Sequence, residues 1–147
     1  MNTRREWMIA GLGTLLMRPA QATPEAMRAA IADFTGGAPL REGRPGLITL
    51  DIAPLVENGN TVPVTVRVAS PMTEADHVRR IALFNELNPE PGVAVFHLGP
   101  SSGRAEVATR MRLATTQTVV AVAQMNDGSC WRAAVEVIVT LAACVES

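Results

Sequence analysis

Two cysteines, two histidines and a run of arginines are the side chains of this 147-residue chain best suited to covalent, metal or anion chemistry. The cysteines are Cys130 and Cys144. Cys144 stands three residues past the apolar run 131–141, within Ala142-Ala143-Cys144-Val145-Glu146-Ser147. A thiol on a short tether beyond a strand can accept a group covalently and be handed into another protein's active site. The thiolate is the nucleophile, so its surroundings set its reactivity. Two cysteines also invite a disulfide. If 131–141 is one continuous strand, its ends lie roughly 30 Å apart or more at about 3.3 Å per residue. A disulfide needs Cα atoms within about 7 Å. A Cys130–Cys144 bridge therefore requires the tail to fold back or the strand to break. Cys130, beside Trp131 and just after Asp127-Gly128, reads as a small core or edge residue.

The other candidates are weaker. His77 and His97 are twenty residues apart among scattered carboxylates, whereas a metal site needs three or four convergent ligands. Both read as structural or surface residues, and no metal or cofactor is expected. No G-x-S-x-G or Gly-rich phosphate loop occurs, which removes the usual hydrolase and nucleotide signatures. Arg104, Arg110 and Arg112 recur on the polar phase of one strand candidate; such a face is solvated, or meets an anion or a partner. No His or basic residue lies near Cys144 in sequence to activate it as a catalytic nucleophile. The expectation is a protein that is not an enzyme.

The opening residues bear on where this chemistry takes place. Arg4-Arg5 precedes the apolar stretch 7–17 and then Ala20-Gln21-Ala22, the order of a charged start, a short apolar middle and a small-x-small cleavage site. The stretch is too short to cross a bilayer, which takes roughly 20 helical residues. The paired arginines favour a twin-arginine export signal over 1–22. Without 1–22, the thirteen basic and fourteen acidic residues become ten and thirteen, a net charge of −3. The chain has no Lys, and nothing in it forms the basic face that nucleic acid requires. The expected location is the periplasm, with no membrane attachment after cleavage and with disulfides permitted.

The elements that position these residues are read from periodicity. Thr23-Pro24-Glu25 caps a short helix whose apolar residues Met27, Ile31 and Phe34 recur at helical spacing, and Gly36-Gly37 ends it. The period then becomes two. Strands are predicted at 47–52, 62–68, 78–84, 93–98, 104–113, 118–125 and 131–141. In the last, Ala133, Val135, Val137, Val139 and Leu141 share one face. Pro63 belongs at an edge or a strand start. Asn58-Gly59 and Asp127-Gly128 are candidates for positive φ in tight turns. About seven alternating strands over 23–141 predict an all-β, immunoglobulin-like β-sandwich, with residues 142–147 as a C-terminal cysteine arm.

Several strings, in order, resemble the SoxY family, sulfur carriers of the periplasmic thiosulfate-oxidising system. They are Val56-Glu57-Asn58-Gly59-Asn60-Thr61-Val62-Pro63-Val64, Ala69-Ser70-Pro71-Met72-Thr73-Glu74-Ala75-Asp76-His77-Val78 and Asn88-Pro89-Glu90-Pro91. Two more are Ser102-Gly103-Arg104-Ala105-Glu106-Val107-Ala108-Thr109-Arg110-Met111-Arg112-Leu113 and Gln117-Thr118-Val119-Val120-Ala121-Val122-Ala123. The resemblance implies a non-enzymatic carrier that holds sulfur intermediates covalently on Cys144. It also implies a SoxZ-like sandwich subunit as heterodimer partner. A haem-containing loader and a sulfate-releasing hydrolase would act on the carried group. The family arm reads Gly-Gly-Cys-Gly-Gly, where this chain has Ala142-Ala143-Cys144-Val145-Glu146. The alternative is a divergent immunoglobulin-like interaction module that keeps the partner but not thiosulfate carriage.

Overall fold

In the computed structural model, which describes residues 23–141, the chain opens with helix α1 (Pro24–Thr35). The helix forms where its caps predict. The Thr23 hydroxyl accepts the Ala26 N–H at 3.1 Å, and Gly36 ends the helix in left-handed backbone at φ 63°. Both caps satisfy backbone groups that a helix end otherwise leaves open.

The strands are β1 (Leu40–Glu42), β2 (Ile48–Asp51), β3 (Leu55–Val56), β4 (Val62–Val68), β5 (Val78–Asn85), β6 (Gly92–His97), β7 (Ala105–Met111), β8 (Gln117–Met125) and β9 (Cys130–Val139). They make an immunoglobulin-like sandwich of two sheets. One is ordered β1-β9-β8-β5-β6 with β3 also on β9; the other is β2-β4-β7. The seven predicted strands are β2 and β4 to β9. β1 and β3 are additional, and at three and two residues they are too short to show a period. Both lie parallel to β9, at opposite ends of it: Leu40 pairs with Cys130 and Leu55 with Ile138. Between them the chain crosses to the other sheet as β2. Gly43 is the crossing point. Its N–H donates to the Arg132 carbonyl at 2.8 Å, and a Cβ there would collide with Ile48 Cγ2 and lie 2.9 Å from that carbonyl. Only glycine fits so close a backbone approach.

The valines of β4 alternate as predicted, with Val62, Val64, Val66 and Val68 buried. Pro63 lies in a central strand, but β2 pairs only with 65–68 of it. On that side the proline is at an edge, where it is tolerated. β5 and β8 are buried on both faces. Ile81, Leu83, Val119, Ala121 and Ala123 face the sandwich interior. Ala82, Phe84, Val120 and Val122 face outward beneath Met27, Ile31 and Phe34 of α1. Arg80 ties down the end of the helix: it donates to the Phe34 carbonyl at 2.8 Å, with its guanidinium carbon 4.2 Å from the ring centroid.

The two predicted tight turns differ. Gly128 has φ 87°, as a hairpin turn requires. At Asn58-Gly59 positive φ is not used. Instead Asn58 Oδ1 accepts the Asn60 N–H at 2.9 Å, and Gly59 is buried. A side-chain acceptor closes this turn in place of left-handed backbone.

Candidate functional site

Cys144 lies outside the described residues. The described fold brings the backbone to Leu141, three residues before it, and that end of β9 is held on both sides. On the β3 side, Ile138 N–H donates to the Pro54 carbonyl at 2.8 Å and Thr140 N–H to the Val56 carbonyl at 3.0 Å. On the β8 side, Val139 N–H donates to Thr116 Oγ1 at 2.9 Å. Beyond the strand, Gly59 N–H donates to the Leu141 carbonyl at 3.0 Å, and the Gly59 carbonyl accepts Leu113 N–H at 2.8 Å. A strand end with backbone partners on both flanks opens rarely, so the chain beyond it departs from a fixed position.

The loop carrying Leu113 is anchored in turn by a knot of amide side chains. Asn88 Oδ1 accepts Ala114 N–H at 3.0 Å and Gln117 Nε2 at 2.8 Å, while Asn88 Nδ2 donates to the Arg112 carbonyl at 2.7 Å. Asn85 Oδ1 accepts Asn88 N–H, and Gln117 Oε1 accepts Leu87 N–H, each at 2.9 Å. Asn85 and Gln117 are buried, so these bonds satisfy groups that would otherwise be costly to bury. The strings 56–64, 88–91 and 117–123 therefore meet at the end of the sandwich from which the cysteine segment departs.

The surface around this departure point is apolar at its centre. Leu55 is 59% exposed, Ile138 51% and Leu141 65%. The two-residue alternation groups Leu141 with Val139 on one face. The strand ends at Val139, and past that point the two-residue alternation no longer governs direction. The sequence carries one signal for this patch: Ile138 is a branched apolar residue on the phase that holds Ala134 and the exposed Glu136.

Cys130 sits at the other end of β9. It is fully buried beneath α1 among Ala82, Phe84, Val120 and Val122. β9 runs unbroken to Val139, so Cys130 and Leu141 are separated by about 35 Å at roughly 3.3 Å per residue. Three further residues reach about 10 Å, which excludes a bridge from Cys130 to Cys144 in the folded protein. Burial pushes the Cys130 thiol above the ordinary thiol range, against smaller opposing effects of a Gln124 hydrogen bond and the Arg80 charge. Alkylation of the reduced native protein is expected to leave Cys130 untouched until the protein is denatured; peptide mass reads the result. The sign of the pH dependence comes from the raised value. Above the ordinary thiol range the unfolded chain loses its Cys130 proton first, so this thiol favours unfolding as pH rises.

The remaining candidates do not converge. His77 Nδ1 lies 2.9 Å from the Thr73 carbonyl, in the turn that enters β5. His97 is exposed on β6, opposite Arg80 in register. Among the described residues no group of three or more His, Cys, Asp or Glu could hold a metal ion. The charged face of β7 is partly paired across strands: Arg67 meets Asp51 at 3.3 Å and Glu106 at 3.4 Å. These exposed pairs contribute little stability.

Comparison with known proteins gives three results. The family model described as sulfur oxidation protein SoxY matches residues 31–144; it spans all nine strands and ends on Cys144. The structure of the sulfur carrier protein SoxY from Chlorobium limicola f thiosulfatophilum is similar at 35% identity and a TM-score of 0.67, over 80% of this chain and 98% of that one. Two superoxide reductases share the fold alone. That of Ignicoccus hospitalis (neelaredoxin) is 20% identical at a TM-score of 0.56, over 63% of this chain and 79% of its own. A putative one from Thermotoga maritima is 19% identical at 0.57, over 69% and 93%. No curated protein matches the chain.

Proposed function

Because this chain belongs to the SoxY family of sulfur oxidation proteins, we propose that it carries sulfur intermediates covalently on Cys144 and presents them to partner enzymes, catalysing no step itself. The observation that supports this most directly is the pinned end of β9. Backbone hydrogen bonds reach as far as the Leu141 carbonyl, and Cys144 comes next on a tether of about 10 Å at full extension. The tether can enter a cleft while its base stays fixed. Joining the thiol to thiosulfate is a two-electron oxidation. The thiol proton is released, an S–S bond forms, and a haem-containing loader takes the electrons. A hydrolase then releases sulfate from the arm. A SoxZ-like sandwich subunit completes the carrier as a heterodimer, in the periplasm after twin-arginine export.

Intact mass after incubation with thiosulfate, partner subunit and loader tests the reading. One defined adduct is expected, mapping to Cys144. A protein that binds the partner but gains no adduct is the divergent interaction module, a reading favoured by Ala142-Ala143-Cys144-Val145-Glu146 in place of glycines. Those residues restrict the backbone more than glycine does. For the export route, Arg4→Lys with Arg5→Lys is expected to leave uncleaved precursor in the cell. Normal maturation of that variant would refute twin-arginine export.

A further inference from the structure

We infer that the exposed apolar patch of Leu55, Ile138 and Leu141 is where enzymes acting on Cys144 seat the rim of their active sites, and that this rim is apolar with basic side chains beside it. The inference rests on the carrier reading of Cys144.

The patch is a local feature. Leu55 and Ile138 are register partners on β3 and β9, and Leu141 lies three residues further on. The other large apolar side chain exposed among the described residues, Val95, lies on β6 at the far edge of the sheet. Large apolar side chains clustered in water mark contact surfaces.

Tether length decides what makes the contact. Cys144 lies at most about 10 Å of chain beyond Leu141. An active site that reaches its sulfur must bring its own mouth within that distance of the strand end. The end yields rarely, because Thr140 is held by Val56 and Leu141 by Gly59. The walls of the cleft therefore come down on Leu141 and on the side chains beside it. A permanent subunit interface buries more than about 1,000 Å², and one seated here would wall off the arm from every enzyme. Three side chains at a strand end suit a transient contact instead.

Charge sets the rest of the match. Glu57 directly follows β3, and Glu136 precedes Ile138 by two residues on the same face. Both are exposed, and neither is ion-paired with an arginine among the described residues. Acidic residues flanking an apolar patch complement a basic rim and make association fall with salt.

The test uses the full mature chain with its partner subunit, thiosulfate and the haem-containing loader, and follows the Cys144 adduct by intact mass. Leu55→Ser with Ile138→Thr is expected to lower the second-order loading rate about tenfold or more. Cys144 alkylation by iodoacetamide and heterodimer formation should stay unchanged. Leu55→Gln alone leaves β9 untouched and should give a smaller loss in the same direction. Glu57→Gln with Glu136→Gln should flatten the salt dependence of loading. Unchanged loading of the folded double variant would overturn the inference. Loss of the heterodimer would also overturn it, by assigning the patch to the partner subunit. A natural protein that gains no adduct would instead sink the carrier reading and take this inference with it.

Discussion

Phe84→Ala is expected to destabilise the protein by about 3–5 kcal/mol, the range for deleting a buried aromatic side chain. Phe84 lies on the outward face of β5, and its ring meets Phe34 edge-on with centroids 6.0 Å apart. Both are buried, and the chain has only three phenylalanines. On that face the ring is the largest side chain of the sheet beneath α1, beside Ala82, Val120 and Val122. Alanine there leaves the helix resting on a void. A twelve-residue helix is marginal in water without such packing. The loss should therefore appear first as undocking of α1. Denaturant unfolding should give the free energy, and hydrogen exchange should show α1 amides opening ahead of those of β4. A loss below about 1 kcal/mol would contradict this packing account.

Asn88→Ala is expected to cost about 1–3 kcal/mol, since the buried Gln117 amide loses a partner and two backbone groups of the partly exposed 112–114 segment lose theirs. The amide accepts from Ala114 N–H and Gln117 Nε2 and donates to the Arg112 carbonyl. Gln117 is buried, and its Nε2 keeps only the Thr115 carbonyl, at 3.1 Å. Asn88→Asp retains the acceptor and loses the donor, so it should fall between the alanine variant and the natural protein. Location matters more than the total. Leu113 N–H is held by the Gly59 carbonyl, and Gly59 N–H holds Leu141. Loosening 112–117 should raise exchange at Leu113 and Gly59 while leaving β4 protected. Equal exchange at both amides in variant and natural protein would show that the amide knot does not brace the end of β9.

Much of this molecule is legible in the residues alone. The caps at Thr23 and Gly36 bound the helix. The valines at 62, 64, 66 and 68 show which side of β4 is buried, and the length of the 131–141 run separates Cys130 from Cys144. These are local facts: a side chain's direction alternates along a strand whatever lies beside it, and a cap acts within one turn. Pairing is different. It is made by backbone N–H and C=O groups that nearly every residue carries, so neighbours leave little trace in side-chain type. Only the folded chain decides that β1 and β3 both run along β9, and that Gly43 lets the chain change sheets between them. Only the folded chain gives the double burial of β5 and β8, where an outer helix hides the alternation under a continuous apolar run. The outward turn of Leu141 belongs to the same class. Its direction depends on Val56 and Gly59, more than eighty residues away in sequence, which hold the strand end from which Cys144 departs.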